Sequence, residues 1–219
     1  MIIASGESPE GENVVAQWLQ RQTSKRVSEW IEGANLVSYE HPYGFTVVRT
    51  HNQLLPGWQI RVHLWPPRSE QLSRLQRNRT ENQKVHAHGW RICSVVLRGA
   101  LEECSFVASK SSASDYDVYR VDSDYGAGIS RLSGYEFGVQ VKQISSTVRT
   151  PETGPYLIPS TQLHSTMSAD EVWSVSLVAT ELRTTGLSYV VAPTVVEREL
   201  ANQRRPSGDL AILVKLLAS

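Results

Sequence analysis

The most informative stretch of this sequence runs from Val85 to Glu102 and reads VHAHGWRICSVVLRGALE. His86 and His88 stand two residues apart, and residues i and i+2 of a β-strand point to the same face. The apolar run 92–97 then predicts a strand, and Arg98-Gly99 predicts a turn into a return strand. The stretch is typical of a β-hairpin that presents two imidazoles to one space at its entrance.

A third histidine, His164, follows the turn residue Pro159 in a second β-like segment, residues 156–165. If the sheet curls into a small barrel, His164 can join the first pair. Neutral imidazole is a common protein ligand of iron, zinc, copper and nickel. The spacing therefore predicts a metal site made of His86, His88 and His164. The other histidines are predicted to be ordinary core or surface residues: His41, His51 and His63.

Composition limits the classes of protein that fit this chain. Its 219 residues suit one domain with additions, and zero net charge gives no broad attraction to nucleic acid. No apolar run approaches the ~18 residues of a membrane span, and the first eleven residues lack the pattern of a signal peptide. Two cysteines are too few for a disulfide framework in a chain of this size. We expect a cytoplasmic protein without a membrane or nucleic-acid partner.

The chain divides into three predicted parts. Residues 1–35 form an N-terminal helical extension, with Ser8 as the cap and Pro9 at the first helical position. Residues 36–192 carry many short strands separated by turns, which suggests a barrel or sandwich. Residues 193–219 form a C-terminal helical extension in two pieces, interrupted at residues 205–208.

The clearest strand of the barrel is Trp58–Trp65, which alternates with period two. One face carries Trp58, Ile60, Val62 and Leu64; the other carries Gln59, Arg61, His63 and Trp65. The second face could line a binding site, although the first is more apolar and could equally do so. The basic segment after this strand, residues 68–84, is predicted to be a solvated loop or short helix. The alternative is a lid that offers guanidinium groups to an anionic substrate.

The two histidine segments resemble the motifs of the cupin superfamily. The first cupin motif has two histidines separated by one residue and ends in a glycine turn, which His86, His88 and Gly99 match. The second has a proline in a turn and then a histidine, which Pro159 and His164 match. This resemblance covers residues 36–192 and implies a mainly β fold: a cupin double-stranded β-helix, or jelly-roll barrel, with flanking helices.

One departure from the usual first motif indicates which subgroup of cupins this chain resembles. Many cupins add a glutamate ligand shortly after the second histidine, but this chain has Arg91, Ile92 and Cys93 there. The chain is in this respect similar to the cysteine-dioxygenase-like cupins, which hold Fe(II) with three histidines. That resemblance implies catalytic roles for Arg49, which would bind a substrate carboxylate, and for Cys93, at the crosslinking position. The alternative prediction is that Cys93 is a small buried side chain without a catalytic role.

The resemblance does not extend to the substrate. The late strand has Val178 and Thr180 where that family places a histidine and a tyrosine, so cysteine itself is not the expected substrate. We expect a non-haem Fe(II)-dependent oxygenase or dioxygenase that uses O₂ to oxidise a small polar metabolite bearing a carboxylate or a thiol; Zn, Ni and Mn are alternative metals. A Lewis-acid isomerase, epimerase or lyase and a non-catalytic binding cupin remain alternatives, and a homodimer is expected by family analogy. The candidate substrate-binding residues are Arg49, Arg61, His63, Trp65, Trp90, Arg91 and Trp173.

Overall fold

The computed structural model describes residues 9–32, 36–49, 55–112, 116–124, 129–182, 187–194, 199–201 and 208–218. Its helices are α1 (Pro9–Gln20), α2 (Ser24–Glu32), α3 (Arg68–Arg77) and α4 (Leu210–Ala218). Its strands are β1 (Val37–Glu40), β2 (Thr46–Arg49), β3 (Trp58–Trp65), β4 (His86–Ala87), β5 (Ile92–Arg98), β6 (Leu101–Lys110), β7 (Tyr116–Asp124), β8 (Ile129–Glu136), β9 (Val139–Arg149), β10 (Tyr156–Ile158), β11 (Leu163–Ser168), β12 (Ser174–Glu181), β13 (Ser188–Pro193) and β14 (Glu199–Ala201). The predicted helix cap Ser8 and the histidine His51 lie outside these described ranges.

The strands form two antiparallel sheets. The first has the order β1-β2-β3-β12-β5-β10, and the second has the order β14-β8-β7-β13-β4-β11-β6-β9. Eight of these strands pair in a nested way, β3 with β12, β4 with β11, β5 with β10 and β6 with β9. Nesting of this kind is a long two-stranded ribbon wound into a jelly roll. The predicted double-stranded β-helix with flanking helices is confirmed.

Three helices cover one face of the first sheet. Leu19 of α1 and Leu213 of α4 share a buried cluster with Ile60, Val62 and Leu64 of β3. Each of these side chains is at most 1% exposed. Burial of a large aliphatic side chain contributes roughly 1.5–3 kcal/mol, so this layer is a main source of stability.

The helix layer decides which face of β3 points into the barrel. Its more apolar face packs under the helices, so Arg61, His63 and Trp65 lie on the inner face. The alternation alone left this choice open. Packing against α1, α2 and α4 resolves it, because those helices supply the apolar surface that Ile60, Val62 and Leu64 match.

The basic segment after β3 begins as the helix α3. Its arginines pair with carboxylates of the protein: Arg68 with Glu102 at 2.8 Å and Arg74 with Asp209 at 2.8 Å. Leu75 is buried, which ties the helix to the barrel. The guanidinium groups of Arg68 and Arg74 are therefore held by partners within the fold.

The C-terminal region differs in part from the prediction. The helix α4 agrees with the second predicted helical piece. Within the first piece, Glu199–Ala201 is instead the strand β14, which pairs with β8. The open edge of β8 offers backbone donors and acceptors, and pairing with them outweighs the local helical preference. Within the described ranges, none of the helices combines the length and apolar character needed to cross a bilayer.

Candidate metal centre

Three histidine rings converge inside the barrel. His86 on β4 and His164 on β11 are direct cross-strand partners, and their ring centroids are 4.4 Å apart. The His88 ring lies 4.9 Å from the first and 5.3 Å from the second. One ring nitrogen from each residue lies within 4.8 Å of the others. Three nitrogens at ~2.0–2.1 Å from one ion are about 3–3.5 Å apart, so small ring rotations bring this group to coordination distance.

Backbone carbonyls set the tautomers of two of these rings. Nδ1 of His86 lies 2.8 Å from the Lys84 carbonyl oxygen, and Nδ1 of His164 lies 2.9 Å from that of Gln162. A carbonyl oxygen only accepts, so each Nδ1 carries the hydrogen and donates it. Nε2 of each ring therefore keeps its lone pair. Anchoring of the second nitrogen is the arrangement that metal-binding histidines use to hold ring orientation.

Burial keeps the three imidazoles neutral at neutral pH. Desolvation lowers the pKa of His86 to about 3, and the nearby His164 adds to the effect. The pKa of His88 is well below its usual value, and that of His164 is also lowered, again mainly because of burial. Neutral imidazole is the form that binds metals. The donor set, its tautomers and its protonation state thus fit a divalent transition metal.

The histidines form one side of a pocket between the two sheets. The cavity between its walls has a volume of about 60 Å³. The walls are mainly aromatic and aliphatic, with a few polar groups. They comprise Tyr43, Phe45, His63, Trp65, Leu75, Lys84, His86, His88, Ile92, Ser94, Tyr156, Ile158, His164, Thr166, Met167 and Val178.

Three of the predicted substrate-binding residues lie at or beside this pocket. His63 and Trp65 line it from β3. Nε2 of His63 is buried and has no hydrogen-bond partner among the described residues. Trp90 stacks on His88, with ring centroids 5.0 Å apart and ring planes inclined by 21°. The indole therefore supports the position of one histidine of the cluster.

Two predicted arginines lie on the same inner face, next to His63. Arg49 and Arg61 are direct cross-strand partners between β2 and β3. The Arg61 guanidinium donates to Gln59 Oε1 at 2.7 and 3.1 Å, and the Arg49 guanidinium lies over the Tyr39 ring. Burial lowers the pKa of His63 to about 3, and the positive charges of both arginines contribute. Both arginines are thus close enough to act electrostatically on the pocket.

The remaining predicted site residues lie elsewhere. Arg91 forms an ion pair with Glu181 at 3.0 Å, with both side chains largely buried. Trp173 packs against the helix-covered cluster and lies beside the Arg74 guanidinium. Cys93 is 2% exposed and belongs to that same cluster. The structure places these three side chains outside the pocket wall, because the sheet alternation turns them to its other face or edge.

Several residues of the site were not singled out from the sequence. Lys84 and Tyr43 line the pocket, and Thr166 lines it one inward position beyond His164. Behind Thr166 lies the buried carboxyl of Glu103, whose Oε2 accepts a hydrogen bond from Thr166 Oγ1 at 2.5 Å. The inward phase of His164 also predicts an inward Thr166. No local sequence pattern predicts that Glu103 lies beside the pocket, because its contact with Thr166 depends on the register between β6 and β11.

Comparisons with known proteins find distant structural similarity and no sequence match. No protein-family profile matches the sequence, and no curated protein matches it. A cupin-2 domain protein from Rhodospirillum rubrum aligns over 85% of this chain and 91% of its own, with 10% identity and a TM-score of 0.34. Hydroquinone 1,2-dioxygenase PnpCD, solved with Cd²⁺ and 4-hydroxybenzonitrile, aligns over 84% and 80%, with 14% identity and a TM-score of 0.31.

A third structure, CapF with the inhibitor 3-isopropenyl-tropolone, aligns over 67% of this chain, with 9% identity and a TM-score of 0.34. This chain spans 30% of the length of CapF. Structural similarity at this level does not indicate a shared activity.

Proposed function

We propose that this protein is a non-haem Fe(II)-dependent oxygenase that oxidises a small carboxylate- or thiol-bearing metabolite with O₂. The observation that carries the proposal is the convergence of three neutral imidazoles on one side of a partly enclosed pocket. His86 and His164 would hold the ion through Nε2, and His88 would complete the set. When bound, Fe(II) supplies open coordination positions for a chelating substrate and for O₂.

The charges around the pocket favour an anionic substrate. Lys84 contributes a basic side chain to the wall of the pocket. Arg49 and Arg61 add positive potential from the inner face of β2 and β3, where they already act on His63. A carboxylate entering the pocket would be attracted by these groups, and His63 Nε2 offers one hydrogen bond to orient it.

The apolar part of the wall would limit side reactions. Phe45, Trp65 and Ile158 line the pocket and leave little polar surface for water. Phe45 and Trp65 are stacked with centroids 4.2 Å apart, which makes this wall stiff. A stiff apolar wall excludes stray water and restricts the orientations of a bound substrate.

One observation favours a second candidate function. The buried carboxyl of Glu103 lies behind Thr166, so a base is available beside the pocket. A metal-dependent isomerase, epimerase or lyase needs such a base, with Zn, Ni or Mn acting as the Lewis acid. O₂ uptake separates the two candidates, because the second function consumes no oxygen.

Anaerobic Fe(II) loading tests the proposal. The expected result is one iron per chain and an EPR signal from a nitric oxide adduct, which reports an open position beside the histidines. Candidate acids and thiols that perturb this signal would then be assayed for O₂ uptake. Absence of bound iron, or iron that does not respond to nitric oxide together with tight Zn or Ni binding, would overturn the oxygenase proposal.

A further inference from the structure

A buried carboxyl group lies next to the pocket, behind Thr166. Glu103 of β6 is 6% exposed, and its carboxylate accepts the hydroxyl of Thr166 at 2.5 Å. The two residues are direct cross-strand partners, so they share the inner face of the barrel. Thr166 lines the pocket, two residues beyond His164 on β11. This separation corresponds to about 6.6 Å along the strand, the length of a small ligand.

We infer that Glu103 is the proton acceptor of the pocket and acts through Thr166. When a ligand with an X–H group binds in front of Thr166, the ligand proton passes to Thr166 Oγ1 as the hydroxyl proton passes to Glu103 Oε2. The X–H bond and the original Thr166 O–H bond break, and two O–H bonds form. The ligand becomes an anion and Glu103 becomes a neutral acid, so atoms and charge balance. This inference rests on the proposed metal site.

The donor and acceptor capacities of Glu103 and Thr166 set the direction of proton transfer. An ionised carboxylate only accepts, so the Thr166 hydroxyl must donate to Glu103 and present a lone pair to the pocket. In this state the hydroxyl can receive a proton from a ligand. After transfer, the neutral Glu103 donates to Thr166, whose new O–H points towards the ligand anion. The protonation state of Glu103 thus sets whether Thr166 accepts from the ligand or donates to it.

The groups that face Glu103 leave it able to titrate near neutral pH. Arg149 of β9 is the charged neighbour, and its guanidinium lies over the Tyr156 ring at 4.6 Å. Tyr156 of β10 stays neutral because burial raises its pKa, and His164, on the same inner face of β11, stays neutral because burial lowers its pKa. Burial raises the pKa of Glu103 to about 7, against the opposing effects of Thr166 and Arg149.

A proton relay of this kind restricts the class of ligand that the pocket accepts. A ligand for this pocket should carry a thiol or hydroxyl that is neutral in solution and becomes anionic on binding. Three neutral histidines contribute no negative charge to a divalent ion, so an anionic ligand is favoured there. Lys84 would add to this preference, since it lines the same pocket.

Two probes on the Co(II)-loaded protein test the relay. Ethanethiol must lose a proton on binding, whereas azide is already an anion and serves as the matched control. Binding is followed by stopped-flow absorption of Co(II) from about pH 5 to about pH 9. This range extends to either side of the Glu103 pKa of about 7. The variants are Glu103→Gln and Thr166→Val, with Thr166→Ser as the control that keeps the hydroxyl.

For the wild type and Thr166→Ser, we expect ethanethiol to bind faster as the pH rises through about 7. Glu103→Gln and Thr166→Val should lose this component and bind ethanethiol roughly 100-fold more slowly near neutral pH, a loss typical of a removed general base. Their pH profiles should then follow the ionisation of ethanethiol alone. Azide binding and Co(II) stoichiometry should stay unchanged, which would also show that the variants fold.

The outcomes separate the two proposals. If Co(II) and azide bind normally but Glu103→Gln keeps the wild-type ethanethiol profile, the relay is overturned and the metal site stands. A parallel slowing of azide would also overturn the relay, since azide needs no proton acceptor. If the wild type binds no Co(II), the metal site of the proposed function fails, and the relay fails with it.

Discussion

His86 and His164 face each other directly across β4 and β11, with ring centroids 4.4 Å apart. Nδ1 of each ring is hydrogen-bonded to a backbone carbonyl oxygen: that of Lys84 for His86, and that of Gln162 for His164. The same geometry occurs twice: a carbonyl two residues before each histidine holds the ring. The two strands therefore present matching Nε2 atoms to one point, and His88 adds a third imidazole.

Removal of one ring should abolish tight metal binding. His164→Ala is expected to weaken Fe(II) or Co(II) binding by more than about 100-fold, which exceeds the 10–100-fold cost of losing an outer hydrogen-bond partner. Equilibrium dialysis with elemental analysis measures this change. His63→Ala is the matched control, because His63 lines the same pocket but lies outside the three-histidine group. Equal metal loss in both variants would contradict the assignment.

Arg91 is expected to act on stability through Glu181. Their side chains are 12% and 10% exposed, so removing one partner leaves a poorly solvated charge. Arg91→Leu should lower the free energy of unfolding by about 3 kcal/mol in urea titrations. The double variant Arg91→Leu/Glu181→Leu should recover much of this loss, because an apolar pair removes both charges. If the double variant is no more stable than the single one, the ion pair is not the cause.

Cys93 should affect packing and leave metal binding unchanged. Its side chain lies in the helix-covered cluster, on the face of β5 opposite Ser94, which lines the pocket. Cys93→Ala is expected to cost about 1 kcal/mol of stability, and Cys93→Ser about 1–3 kcal/mol because a hydroxyl would be buried there. Both should keep wild-type metal stoichiometry. Loss of metal from a variant that remains folded would place Cys93 in the site.

Glu103 should make the stability of the metal-free protein depend on pH. Burial raises its pKa from 4.5 to about 7, so between these values the folded state keeps a proton that the unfolded state releases. Its stabilising contribution is therefore present below pH 4.5 and is lost as the pH rises through about 7. Relative to Glu103→Gln, the wild type should lose about 3 kcal/mol over this range.

Urea unfolding of both proteins at about pH 4.5 and about pH 8 measures this difference. The difference between the two proteins isolates Glu103, since the buried histidines affect both equally and act in the opposite direction. Parallel changes with pH in the wild type and Glu103→Gln would show that the carboxyl has the same pKa in the folded and unfolded states.

The local patterns of the sequence predicted much of the architecture. The strand Trp58–Trp65 occurs with the expected bounds, and α1 begins at Pro9 as the capping pattern indicated. The i, i+2 spacing of the first histidine pair and the turn before His164 placed all three rings on inner positions. These features depend on alternation and turn chemistry, which a short segment expresses by itself.

Other features depended on contacts between distant segments. The role of Arg91 could not be read from its neighbours, because its partner Glu181 lies on another strand. The strand Glu199–Ala201 forms at the edge of β8, although its sequence favoured a helix. Sheet register decided both, and register between distant strands leaves little trace in the local sequence.

The sequence by itself therefore determined most of the strands, a barrel or sandwich and the three candidate ligands, because periodicity and spacing are local properties. The double-stranded β-helix was implied by the resemblance of the two histidine motifs. Only the tertiary structure decided which face of β3 lines the pocket, since that choice depends on where the helices pack. It also decided that Glu103 lies behind Thr166. That contact follows from the pairing of β6 with β11, which brings together a carboxyl and a hydroxyl that the chain keeps far apart.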